Sequence, residues 1–218
     1  MIQSNKRIFK FSILFLTLFI FISAFYGCQK KESAEELYAL GEKYFKEQDF
    51  YNTIETLNKV EENELEKDKE ANRNYMTGYS YWQLKRFDTA LIPLKKADEL
   101  KPNNEDYMIA LARVYDINDN FEKSEEYYLK VIEINEKNET AYMSLGNIYL
   151  KKDPPEIKKS IEYSKKAIDI YPDCANAYGN LAIAYDMMND KEKTKQYLKK
   201  AKSLGYNNLP AIRDIKNK

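Results

Sequence analysis

The stretch ANRNYMTGYSYWQLKRFDTALIPLKKADELKPNN, Ala71 to Asn104, decides how this chain folds. It reads as two short amphipathic helices joined by a turn. Gly78 stands three residues before Tyr81 in the first helix. Ala90, Leu94 and Ala97 follow at i, i+4 and i+7 in the second, one apolar face of a 3.6-residue period. Pro102 closes the unit. The small residues Gly78, Ala90 and Ala97 let two helices approach closely, while Tyr81, Phe87 and Leu94 fill the space around them.

The same skeleton recurs on both sides. Small residues fall at Gly41, Gly78, Ala112, Gly146 and Ala182, each followed three residues later by Tyr44, Tyr81, Tyr115, Tyr149 and Tyr185. The steps are 37, 34, 34 and 36 residues. A recurring unit of this length, with a small residue, a tyrosine, and a small-aromatic-small second helix, resembles the tetratricopeptide repeat family. The resemblance implies an all-α fold: a right-handed α-solenoid of about five helix pairs, over units 34–70, 71–104, 105–138, 139–174 and 175–208. Such a unit cannot bury its apolar face alone, so neighbours stack into one continuous core. Leu209–Lys218, with Ile212 and Ile215 at helical spacing behind Pro210, reads as a short C-terminal capping helix.

Three departures from the pattern carry expectations. Thr53 and Val60 stand where the family usually has Ala. The charged run Glu61–Lys69 reads as a solvated loop or extended helix end. Lys152-Asp-Pro-Pro-Glu156 lengthens the inner turn of the fourth unit by two residues, which places the start of its second helix near Pro155.

Lys6, Arg7 and Lys10 precede an uncharged apolar run, Phe11 to Tyr26, that ends Ala24-Phe-Tyr-Gly-Cys28 and then turns polar. A basic start and a run of about 16 apolar residues make a secretory signal, residues 1–27, shorter than the roughly 20 residues of a membrane span. Gly27-Cys28 resembles the lipobox of bacterial lipoproteins, although Phe25 and Tyr26 depart from its usual residues. That resemblance implies lipidation at Cys28, residues 28–33 as a linker, and a bacterial envelope location, extracytoplasmic and held to a membrane by acyl chains. Processing there removes three basic residues and leaves 32 basic against 35 acidic side chains.

Composition narrows the function classes. Over the whole chain Lys+Arg and Asp+Glu balance at 35 each, which gives no sign of a nucleic-acid surface. The 218 residues include no histidine, removing the commonest general base and metal ligand. Cys28 and Cys174 are too far apart in sequence to form a metal motif between them. No Gly-rich phosphate loop or nucleophile–base pair is present. The sequence therefore carries no signal of an enzyme, of a cofactor or of a metal.

What remains is the concave surface. In the family the first helix of each unit lines a groove that holds a partner protein. Carried over unit by unit, its groove positions are Tyr38 and Glu42; Tyr75, Tyr79, Trp82 and Gln83; Ile109, Arg113 and Asp116; Met143, Asn147 and Lys151; and Asn176, Asn180, Ile183 and Asp186. The basic clamp that some members use for chaperone C-termini is absent, since the corresponding sites hold Tyr75, Tyr79, Ala110, Thr140 and Ser144. The expected partners are a protein and, through the anchor, a membrane, with no nucleic acid. The expected activity is an interaction scaffold in envelope assembly; a non-catalytic module for a cell-wall fragment or glycan is the alternative.

Overall fold

The computed structural model describes residues 32–207. The signal, Cys28 and the expected capping helix lie outside these residues. Among the described residues there are ten α-helices and no strand. In chain order they are α1 (Ala34–Lys46), α2 (Phe50–Leu57), α3 (Lys67–Gln83), α4 (Phe87–Leu100), α5 (Glu105–Ile117), α6 (Phe121–Ile134), α7 (Glu139–Lys151), α8 (Ile157–Ile170), α9 (Ala175–Met187) and α10 (Lys191–Ser203). They pair as five hairpins, and each hairpin packs on the next.

Local sequence sets the helix ends. Ser33 and Glu36 form a reciprocal capping box at α1. Asp49, Asn104, Asn120, Asn138 and Asp190 each accept a first-turn backbone N–H through the side chain. The inner turns of four hairpins pass through a left-handed residue at the same place: Gln48 (φ 60), Lys85 (φ 59), Asp119 (φ 55) and Asn189 (φ 60). The fourth hairpin departs here. Its inserted residues make a longer corner, and α8 begins at Ile157, two residues after Pro155.

Close approach within a hairpin depends on the recurring small residue. A β-carbon on Gly78 would come within 2.6 Å of Leu94 Cγ, and one on Gly41 would overlap the Leu57 side chain. Thr53 is fully buried, its hydroxyl donating to the Asp49 carbonyl at 2.8 Å, so a polar residue is accommodated where Ala is usual. In the last three hairpins the tyrosine of the first helix packs on one from the second: Tyr115 on Tyr127 at 5.8 Å, Tyr149 on Tyr163 at 5.3 Å, and Tyr185 on Tyr197 at 5.4 Å between ring centroids.

Hairpins are joined by further specific contacts. Lys95 of α4 lies 5.8 Å from the ring centroid of Tyr115 in α5. Tyr149 of α7 donates to Glu125 of α6 at 2.7 Å, and Lys152 pairs with the same carboxylate. The charged segment after α2 is a loop as far as Glu66 and enters α3 at Lys67, and the loop is anchored: Val60 and Leu65 are buried against Leu37. Glu70, in the first turn of α3, is also buried and forks onto Arg73, with Oε1 accepting from Nη2 at 2.5 Å and Oε2 from Nε at 2.9 Å.

Candidate functional site

The first helices α3, α5, α7 and α9 lie side by side and line a run of cavities. One, about 540 Å³, is bounded by Trp82 from α3, Arg113 and Asp116 from α5, Met143, Asn147 and Lys151 from α7, and Asn176, Asn180 and Ile183 from α9. Tyr206, just beyond α10, closes its far end. A second cavity of about 270 Å³ lies between Tyr75 and Tyr79 on one side and Asp106, Ile109 and Arg113 on the other. A third, about 360 Å³, is lined by Phe45, Phe50, Tyr75, Tyr79 and Gln83.

Arg113 borders both of the first two cavities. Its guanidinium carbon is 5.7 Å from the Trp82 ring centroid, and it forms no ion pair among the described residues. The Trp82 indole N–H is buried with no acceptor among the described residues, an unusual state for a buried donor. Asp116 is already engaged, both carboxylate oxygens accepting from Lys151 Nζ at 3.0 Å. The groove thus presents one cation over an aromatic face, flanked by the amides of Asn147 and Asn176 and by apolar Met143 and Ile183.

The tyrosines at the near end are less available. Tyr75 stacks on Tyr107 at 4.9 Å, and burial, with Asp106 nearby, pushes its phenol far above the ordinary value. Tyr79 packs among Phe45, Phe50, Tyr75 and Trp82, with its hydroxyl accepting from Gln83 at 2.8 Å.

Two expected groove residues make packing contacts, although one of them, Asn180, also borders the main cavity. Asn180 is buried and donates to the Met143 carbonyl at 2.9 Å, tying α9 to α7. Tyr38 lies outside these cavities, packed against the Leu37 cluster, with its hydroxyl accepting from Asn72 at 2.8 Å. Conversely, Tyr128 and Tyr206 line the main cavity and do not follow from the first-helix pattern. Tyr128 reaches the cavity from a second helix. Tyr206 fits because Gly179 has no side chain: a β-carbon there would fall within 2.5 Å of the Tyr206 ring.

Cys174 is buried at the start of α9, and burial pushes its thiol upward, away from the reactive thiolate. Among the described residues no acid–thiol cluster is arranged to hold a metal ion, and no helix is long and apolar enough to cross a membrane.

Comparison with known proteins agrees with this geometry. The chain is 28% identical over 138 residues to the CTR9 homologue of Arabidopsis thaliana, covering 62% of this chain and 12% of that protein. It is 28% identical over 153 residues to the type IV pilus assembly protein PilF of Pseudomonas aeruginosa, covering 67% of this chain and 60% of PilF. The chain therefore spans less than two thirds of either relative. Among solved structures, MamA superposes with a TM-score of 0.67 at 24% identity, over 79% of this chain and 92% of MamA. The tetratricopeptide repeat model matches residues 71–104, 105–138, 139–174 and 175–205, more than half of the sequence, so the chain belongs to the tetratricopeptide repeat family.

Proposed function

We propose that the concave groove holds an extended segment of a partner protein, making this chain an interaction scaffold in assembly of a bacterial cell envelope. The observation that carries the reading is Arg113. It stands between two cavities, over an aromatic ring, with no carboxylate among the described residues in ion-pairing range. Such a guanidinium suits a carboxylate or a row of backbone carbonyls from the partner, with apolar side chains seated against Met143 and Ile183. The free amides of Asn147 and Asn176 match main-chain groups of an extended strand. Likeness to a pilus assembly protein supports the envelope setting. Acylation at Cys28 would keep the scaffold beside its partners, since two or more acyl chains hold a protein stably on a bilayer.

A photocrosslinking residue at Asn147, with a control at exposed Lys158 on α8, tests the groove in cells. The expected result is an adduct at the first site alone that disappears in Arg113→Glu while the melting curve is unchanged. An adduct indifferent to Arg113→Glu overturns the reading. Acyl labelling that survives in Cys28→Ser overturns the anchor.

A further inference from the structure

The second helix of each hairpin meets the next hairpin through four positions, spaced about a turn apart along one side. In α6 these are Phe121, Glu125, Leu129 and Ile132, and the three apolar ones pack against the core formed with α7. In α8, three of the four are isoleucines packed against neighbouring helices. In α10, which has no successor among the described residues, the same positions are Lys191, Lys195, Lys199 and Lys202. All four are exposed, and none forms an ion pair with a described residue. The neighbouring Lys193 and Lys200 point elsewhere and are paired with Asp190 and Asp173.

At the other end of the solenoid, α1 has no predecessor among the described residues. Tyr44 in α1, and Glu47 at its C-cap, stand at positions that, in later hairpins, receive the preceding second helix. Tyr44 stands where Tyr115 accepts Lys95 over its ring at 5.8 Å, and Lys199 stands where Lys95 does. Glu47 stands where Lys152 pairs with Glu125, and Lys195 stands where Glu125 does. A second copy set against α10 with the chain's own hairpin spacing would therefore recreate one Lys–Tyr contact. It would also recreate one interhelix ion pair with the two charges exchanged.

From this correspondence we infer that the C-terminal face of one chain receives the N-terminal face of another copy, Lys199 over Tyr44 and Lys195 against Glu47. The bulk charges agree. Residues 34–70 hold twelve acidic side chains against five basic ones, while α10 holds six lysines against one glutamate. Glu47 is released at little cost, since its present partner is exposed Lys43 at 4.0 Å. The lysine stems cover Leu40 and Tyr44 while their heads stay wet. The contact is heterologous, so it propagates head to tail rather than closing as a dimer. With no apolar side chain at the four α10 positions, it is weak and salt-sensitive.

Sedimentation of the full chain, in enough mild detergent that micelles outnumber chains, tests this. Association should grow with concentration at about 0.01 M salt and vanish near 1 M, as the screening length falls from roughly 30 to 3 Å. Lys195→Glu alone and Glu47→Lys alone should each weaken it at least tenfold. The chain carrying both exchanges should regain it, as should an equimolar mixture of the two single variants, in which intact faces meet. A wild-type chain that stays monomeric at low salt overturns the inference: the lysines then only keep the end of the solenoid from stacking. Association gained only on removing residues 208–218 overturns it in favour of the chain's own tail. Association indifferent to both variants overturns it as well. So does binding to anionic vesicles that depends on Lys195 but not on Glu47, without self-association; the occupant is then a membrane surface.

Discussion

Gly146 and Ser164 leave no room for a β-carbon between α7 and α8. One built on Gly146 would overlap Ser164 Oγ and stand 3.2 Å from Asn180 Nδ2, so three helices meet at this glycine. Gly146→Leu should lower stability by about 1–3 kcal/mol or more, because overpacking displaces side chains that already touch. Chemical denaturation checks this, and an unchanged midpoint would remove Gly146 from the contact.

Ser164 offers the opposite test. Its hydroxyl is buried without a partner among the described residues. A buried polar group left unsatisfied costs about 1–3 kcal/mol, so Ser164→Ala should stabilise the protein by roughly 1 kcal/mol. Loss of stability would mean that the hydroxyl is satisfied in solution.

The buried pair Glu70–Arg73 gives stability a dependence on pH. Burial opposes ionisation of Glu70, but the guanidinium of Arg73, with Asn74 and Lys96, outweighs it and holds the carboxyl below its ordinary value of about 4.5. A lowered folded-state value means the contribution is complete above about 4.5 and is lost as pH falls through the folded value. Arg73→Met should cost about 3–5 kcal/mol at neutral pH by stranding a buried carboxylate, and much less in acid. Melting curves across that window decide it; a penalty independent of pH would show that packing, not charge, is what Arg73 supplies.

Pro93 sits inside α4, where it cannot donate to the Thr89 carbonyl. A proline in a helix interior costs about 3 kcal/mol or more, yet the helix runs through it because Ala90, Leu94 and Ala97 are fully buried. Pro93→Ala should therefore raise the unfolding free energy by about 1 kcal/mol or more. No gain would mean the ring packs well enough to offset the missing bond.

Tyr206 should matter locally. Tyr206→Ala removes the ring that fills the space at Gly179, and hydrogen exchange should quicken across α9 and α10 while α3 to α6 keep their protection, since each hairpin depends chiefly on its neighbours. Uniform loss of protection would indicate that the solenoid unfolds as a single cooperative unit.

The repeat was legible because its residues act through spacing alone. Gly78 with Leu94, and the small residues of α4, are fixed by a period that can be counted. Of the expected first-helix positions, Trp82, Arg113, Asn147, Asn176 and Asn180 border the main cavity. The rest depends on individual contacts, within units and between them, which no single period encodes. Asn180 borders the cavity with its neighbours but is also held by the Met143 carbonyl. Tyr38 is claimed by Asn72 and by the Leu37 cluster, which Leu65 joins from a charged loop. Tyr206 depends on the missing side chain of Gly179 one helix earlier, and Glu70 on an arginine one turn further along.

The lengthened corner of the fourth hairpin has a practical consequence. Asp153, Pro154 and Pro155 are exposed, while the helices they connect keep the same tyrosine contact as their neighbours. The register of the rods is thus fixed by what lies between them, and the bend merely has to be long enough. That bend is the place to graft a fluorophore or an epitope when the molecule is to be followed in a living cell.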